Sequence, residues 1–117
     1  PVIYGSGTQT RDFIFVADVV SACVQAAEFE GELALAGASG PAYNISTGTA
    51  TSVNMLAEGL RVAMRYPGAI EHVDPRPGDV EDSVLSPEKA AGVFGWHAAV
   101  ELQTGLGGTA AWFMQSQ

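Results

Sequence analysis

The sequence predicts a small α+β fold in which short strands form two or more small sheets beside three to four helices. Three observations predict it. A chain of 117 residues with 47% hydrophobic content can bury one modest core, so residues 1–117 read as a single domain. Short β-branched runs are bounded by glycine or proline, as strands commonly are. Two longer segments, about 17–29 and 52–65, carry apolar residues at helical spacing, and a third does so near the end of the chain.

In chain order, Pro1-Val2-Ile3-Tyr4 reads as a strand that runs into a loop, Gly5-Ser6-Gly7-Thr8-Gln9-Thr10, ending in Arg11. Phe13 to Val16 reads as a second extended run. Asp18 is then placed to cap a helix whose stripe of Val16, Val20, Cys23, Val24 and Ala27 is expected to face the core. In that setting Cys23 is expected to be a buried, unreactive thiol. Glu30 to Pro41 is a Gly/Ala-rich connection with no assigned chemistry. Tyr43-Asn44-Ile45 is extended, and Ser46-Thr47-Gly48-Thr49 turns the chain.

Thr51 or Ser52 caps the second helix, which carries Val53, Leu56, Leu60 and Met64 and stops at Tyr66-Pro67-Gly68. Ile70 to Asp74 alternates like a strand, and Ser83-Val84-Leu85 is another extended run. Ser86-Pro87 opens a short helix expected to stop by Gly92. Trp96 sits in a turn as a core anchor. From about Val100 a terminal helix places Leu102, Leu106, Ala110 and Phe113 toward one side. Gly105, Gly107 and Gly108 weaken it by up to about 1 kcal/mol each, so it is expected to fray or to need a partner surface.

Charge narrows the function. The net charge of −8 argues against nucleic acid and anionic membrane as partners, since both attract basic surface. A single cysteine excludes an internal disulfide. Neither His72 nor His97 has a ligand at metal-binding spacing, so no metal site is expected. No signal peptide or membrane-length apolar run is visible, and the expected location is cytoplasmic. Pro1-Val2 at the start, without methionine, suggests a fragment or a trimmed chain.

The cations are few: Arg11, Arg61, Arg65, Arg76 and Lys89. Arg61 and Arg65 lie on the solvent side of the second helix. Arg11 and Arg76 instead sit in glycine-containing loops, Gly5–Arg11 and Arg76-Pro77-Gly78-Asp79. A guanidinium offers a fork of donors suited to phosphate, and glycine lets backbone approach a ligand. Read from these residues alone, each arginine also suits a solvated loop or a surface pairing with one of the many acids.

Gly5-x-Gly7-x-Gln9-x-Arg11-Asp12-Phe13, followed by Val16 and Asp18, resembles a hallmark of NAD-dependent nucleotide-sugar epimerases and dehydratases, the extended short-chain dehydrogenase/reductases. The pattern is most similar to UDP-glucose 4-epimerases. Tyr43-Asn44-Ile45-x-x-Gly48, Arg76-x-Gly78-Asp79 and Phe94-Gly95-Trp96 follow in the family's order. The resemblance covers nearly the whole chain, but only the C-terminal, substrate-binding lobe of such enzymes.

The resemblance implies that Arg11 and Arg76 clamp a diphosphate, Asp79 accepts from ribose hydroxyls, and the strand at Val2 and Tyr4 lies beside the base. It implies a nucleotide-sugar such as UDP-glucose as ligand, with a homodimer or a missing Rossmann domain as partner. It implies NAD for the full-length enzyme and no cofactor in this chain. The family's G-x-x-G-x-x-G turn is absent. None of Tyr4, Tyr43 or Tyr66 has a lysine four residues on, so no catalytic residue is assigned and the chain is not expected to turn over alone. Two other classes fit the same residues: a stand-alone nucleotide-binding module, and an interaction protein derived from such a lobe.

Overall fold

Strands this short cannot span a domain, so they gather in pairs and triplets between the helices. The computed structural model describes residues 1–31 and 42–116, and most of the Glu30–Pro41 connection lies outside the described residues. In order the elements are β1 (Val2–Tyr4), β2 (Thr10–Arg11), α1 (Val16–Glu28), β3 (Thr51–Ser52), α2 (Val53–Ala63), β4 (Glu71–Val73), β5 (Asp82–Ser83), α3 (Glu88–Phe94) and α4 (Leu102–Gln115). One sheet pairs β1 with β4 in parallel, Ile3 opposite His72. The other has the order β3-β2-β5, with β2 antiparallel to β3 and parallel to β5. This is the α+β arrangement of small sheets that the sequence predicts.

Several expected boundaries move. No strand forms over Phe13–Val16. The pairing residues are Thr10 and Arg11, and Phe15 becomes the residue that leads into α1. Tyr43-Asn44-Ile45 also joins no sheet, because Tyr43 and Ile45 pack sideways onto the core. The strand expected over Ser83–Leu85 pairs only through Asp82 and Ser83. Of the two expected caps for α2, Thr51 and Ser52, the cap is Ser52, whose Oγ accepts from the Met55 N–H at 3.2 Å. That helix stops at Ala63, before Tyr66-Pro67-Gly68, and Arg65 turns the chain with a left-handed φ of 50°. Pro87 rather than Ser86 occupies the cap position of α3, which runs through Gly92 to Phe94 and ends at left-handed Gly95.

The largest correction concerns α1. Its apolar stripe faces outward: Val16 is 66% exposed, Val20 56% and Val24 48%, and Cys23 is exposed as well. The helix docks through its other side. Asp18 and Ala22 are buried there, and Asp18 is not the cap but a buried carboxylate in the first turn. Its Oδ1 accepts from the Ala99 N–H at 3.1 Å and its Oδ2 from the Val100 N–H at 3.0 Å. Trp96, 1% exposed, donates its indole N–H to the Asp18 carbonyl at 3.2 Å and to Ser21 Oγ at 3.0 Å. Hydrogen-bonding geometry thus fixes the rotation of α1, overriding the stripe of valines.

Trp96, Ala22 and Ala90 form the core cluster, with Ile14, Tyr43, Ile45, Phe94 and Ala98 packed around it. One glycine of α4 serves close approach. Gly105 is buried against the Phe15 ring, where an added Cβ would meet Cδ2 at 3.1 Å. Leu106 packs onto Gly59 of α2, where an added Cβ would lie 2.6 Å from its Cδ1. Contact between α2 and α4 therefore supplies what the helix loses in propensity. Leu106 and Ala110 are buried as expected, whereas Phe113 is half exposed.

Removing the Asp18 carboxylate leaves two buried-side N–H groups without their acceptor. Asp18→Ala is expected to destabilise the fold by about 2–3 kcal/mol, measured by urea unfolding followed through Trp96 fluorescence. A loss under about 0.5 kcal/mol would show that the α1 docking does not depend on this group.

Candidate functional site

The loop after β1 is shaped by two left-handed glycines, Gly5 at φ 77° and Gly7 at φ 74°. A side chain at Gly7 would overlap the Asn54 carboxamide, so only glycine lets the loop lie against the start of α2. There the Val53 N–H donates to the Gln9 carbonyl at 3.1 Å and the Asn54 N–H to the Gly7 carbonyl at 3.0 Å. The electropositive end of α2 is thus already occupied by the chain's own loop. It is not a free anion site.

Arg76-Pro77-Gly78-Asp79 forms a tight turn, with Gly78 at φ 80° and the Asp79 N–H donating to the Arg76 carbonyl at 3.3 Å. The turn carries Arg76 over the Tyr4 ring, its guanidinium carbon 3.8 Å from the centroid. Asp79 reaches in the other direction, where its Oδ1 accepts from Arg11 at 2.8 Å. Arg11 also donates to the Thr10 carbonyl at 2.7 Å. Val2, Tyr4, Arg76 and Asp79 all line one cavity of about 370 Å³, together with Gln9 and Val53. Arg11 is not among the lining residues and meets the cavity through Asp79.

Four of the five sequence-predicted residues therefore share a concavity, and the fifth is bonded to it. The Arg11–Asp79 pair does not lock the site. Its side chains are 30% and 42% exposed, and an ion pair at that exposure contributes at most about 1 kcal/mol. The remaining cations lie elsewhere. Arg61 is paired with exposed Glu58 at 2.6 Å, and that hydrogen bond holds the Glu58 carboxyl below its ordinary range. Lys89 sits over the Tyr43 ring and donates to the Ala42 carbonyl.

On β1, Pro1 and Gly5 bond to β4: the Glu71 N–H donates to the Pro1 carbonyl and the Gly5 N–H to the Val73 carbonyl. Because backbone groups alternate sides along a strand, those of Val2 and Tyr4 point away from β4. They form the open edge of the sheet. His72 ties β4 to the loop through Nδ1, which donates to the Gly5 carbonyl at 3.0 Å. A carbonyl can only accept, so this contact sets the tautomer and gives His72 a structural role.

Two supporting residues carry no sequence signal of their role. Gln9 donates its side-chain amide to the Tyr4 carbonyl at 3.0 Å. Asp12, beside Arg11, accepts from the Thr47 N–H at 2.8 Å, the Thr47 hydroxyl at 2.6 Å and the Gly48 N–H at 2.9 Å. Asp12 was visible only as part of a motif, and nothing in the sequence announces that its carboxylate anchors a loop 35 residues away.

Among the described residues the chain is an α+β lobe of two small sheets and four helices, and comparison with known proteins assigns it to a family. The GDP-mannose 4,6 dehydratase family model matches residues 1–109. A UDP-glucose 4-epimerase of Mycolicibacterium smegmatis is 36% identical over 95% of this chain and 33% of its own length. A putative UDP-glucose 4-epimerase of Methanocaldococcus jannaschii is 33% identical over 96% of this chain and 33% of its own. The crystal structure of the Thermotoga maritima UDP-glucose 4-epimerase with UDP-glucose superposes with a TM-score of 0.85 at 34% identity, over 98% of this chain and 35% of that one. MoeE5 in complex with UDP-glucuronic acid and NAD gives 0.82 at 32% identity, over 100% and 37%.

The chain belongs to the GDP-mannose 4,6 dehydratase family. It spans about a third of the length of these relatives and matches their C-terminal part.

If Asp12 holds the Thr47–Gly48 turn as described, Asp12→Ala will speed hydrogen exchange at the Thr47 and Gly48 amides by about tenfold or more while β1 exchange stays unchanged. Unchanged exchange at both amides would remove Asp12 from that role.

Proposed function

We propose that residues 1–117 form the nucleotide-sugar-binding portion of an NAD-dependent epimerase or dehydratase, with a UDP-sugar as ligand and no turnover by this chain alone. The observation that carries the reading is the convergence of Val2, Tyr4, Arg76 and Asp79 on one cavity, with Arg11 bonded to Asp79 at its margin. In this reading Arg11 and Arg76 grip the diphosphate through charge-assisted hydrogen bonds. Asp79 keeps Oδ1 toward Arg11 and offers Oδ2 to ribose hydroxyls. The open edge of β1 at Val2 and Tyr4 faces the base.

NAD enters through relatives such as MoeE5, which was solved with it, and none of the residues named above is assigned to hold it. In a complete enzyme the grip would present the sugar to the nicotinamide, where positioning becomes rate. The outward stripe of Val16, Val20 and Val24 supports a partner for this lobe, either a cofactor domain or a second copy. Among the described residues, no helix is long and apolar enough to cross a membrane.

Titration calorimetry with UDP tests the clamp. Arg11→Ala and Arg76→Ala should each weaken binding by about tenfold or more, as the loss of a charge-assisted contact does. Equal heats and affinities for all three proteins would eliminate the clamp.

A further inference from the structure

We infer that Gln9 sets the nucleobase preference of the site, favouring a uracil or thymine ring over guanine. The inference rests on the reading of β1 as the base-facing strand. The open edge presents, in order, the Val2 N–H, the Val2 carbonyl, the Tyr4 N–H and the Tyr4 carbonyl. Among the described residues the first three have no partner, whereas the Tyr4 carbonyl is taken by the Gln9 amide at 3.0 Å. Gln9 itself is half-buried, lines the cavity beside Val2 and Tyr4, and is anchored through its own carbonyl to the Val53 N–H at 3.1 Å.

What remains unpartnered on the edge is one carbonyl flanked on both sides by N–H donors. The imide edge of uracil or thymine is its complement, an N–H flanked by two carbonyls, and it fits in either direction. Guanine presents a carbonyl, a ring N–H and an amine. With its ring N–H on the Val2 carbonyl, its amine faces a backbone N–H whichever way it lies, and a donor facing a donor loses a bond on both sides. Were the Tyr4 carbonyl free, guanine could place its ring N–H there, its carbonyl on the Tyr4 N–H and its amine beyond the edge, opposed by nothing. Gln9 closes that second register. It acts on the base through Tyr4 and is a positioning residue.

The test uses the ¹⁵N-labelled chain titrated with UDP, GDP and inorganic pyrophosphate, as wild type, Gln9→Ala and Gln9→Glu. Glutamate keeps the size but cannot donate to the carbonyl. The wild type should bind UDP about tenfold or more tightly than GDP, with UDP shifting the Val2 and Tyr4 amide resonances. In both variants the ratio of UDP to GDP affinity should fall to about threefold or less. Equal affinity of the wild type for UDP and GDP, an unaltered ratio in both variants, or UDP binding without Val2 and Tyr4 shifts would each overturn the role of Gln9 while leaving the diphosphate clamp standing. Failure of the wild type to bind any of the three ligands would instead overturn the site itself, and this inference with it.

Discussion

Two carboxylates hold this fold together where its strands are too short to do so. Asp12 gathers the Thr47 and Gly48 amides, and Asp18 gathers those of Ala99 and Val100. Each spans a long sequence separation, so each closes a loop that a two-residue strand could not close alone. A carboxylate that accepts backbone N–H groups makes stronger bonds than a neutral acceptor does. The indole of Trp96 completes the second of these knots on the Asp18 carbonyl. Together these bonds fix how β2 and α1 sit against the rest of the described residues.

That rigidity reaches the candidate site through adjacency. Arg11 directly precedes Asp12, and β2 is hydrogen-bonded on one side to β3 and on the other to β5. The loop leading to β5 carries Asp79, the partner of the Arg11 guanidinium. The Arg11 backbone thus sits in the central strand of a three-stranded sheet, and its guanidinium reaches Asp79. Arg76 is held differently, by a proline-glycine turn and by the face of Tyr4. One cation is tied by strand pairing and the other by aromatic packing, and the Arg76–Asp79 turn links the two.

Much of this was legible in the sequence. The Ser52 cap and the periodicity behind it located α2, and the glycine-bounded run located β1, because these signals are local. The rotation of α1 was not legible. Val16, Val20 and Val24 recur at helical spacing, yet docking is decided by Asp18 and Ser21, whose partners lie near Trp96 far along the chain. Phe13 to Val16 reads as a strand because aromatic and branched residues suit one, but Ile14 packs on the core, Phe15 against Gly105, and Val16 opens α1. Gly105 of α4 reads as weakness from propensity alone, since propensity knows nothing of the neighbouring Phe15 ring. At the candidate site, the five predicted residues came from the motif pattern, whereas the Gln9 contact depends on how a loop folds back and leaves no trace in spacing.

The open side of β1 has a consequence apart from any ligand. Unpaired backbone groups on a sheet margin are a template on which another chain can add a strand, the first step of aggregation. Here the exposed margin is only three residues long. The left-handed turn at Gly5 ends it abruptly, and Arg76 places a charge over Tyr4. A flat ring can still lie against so short a margin, but an extended polypeptide finds too few groups to hold it.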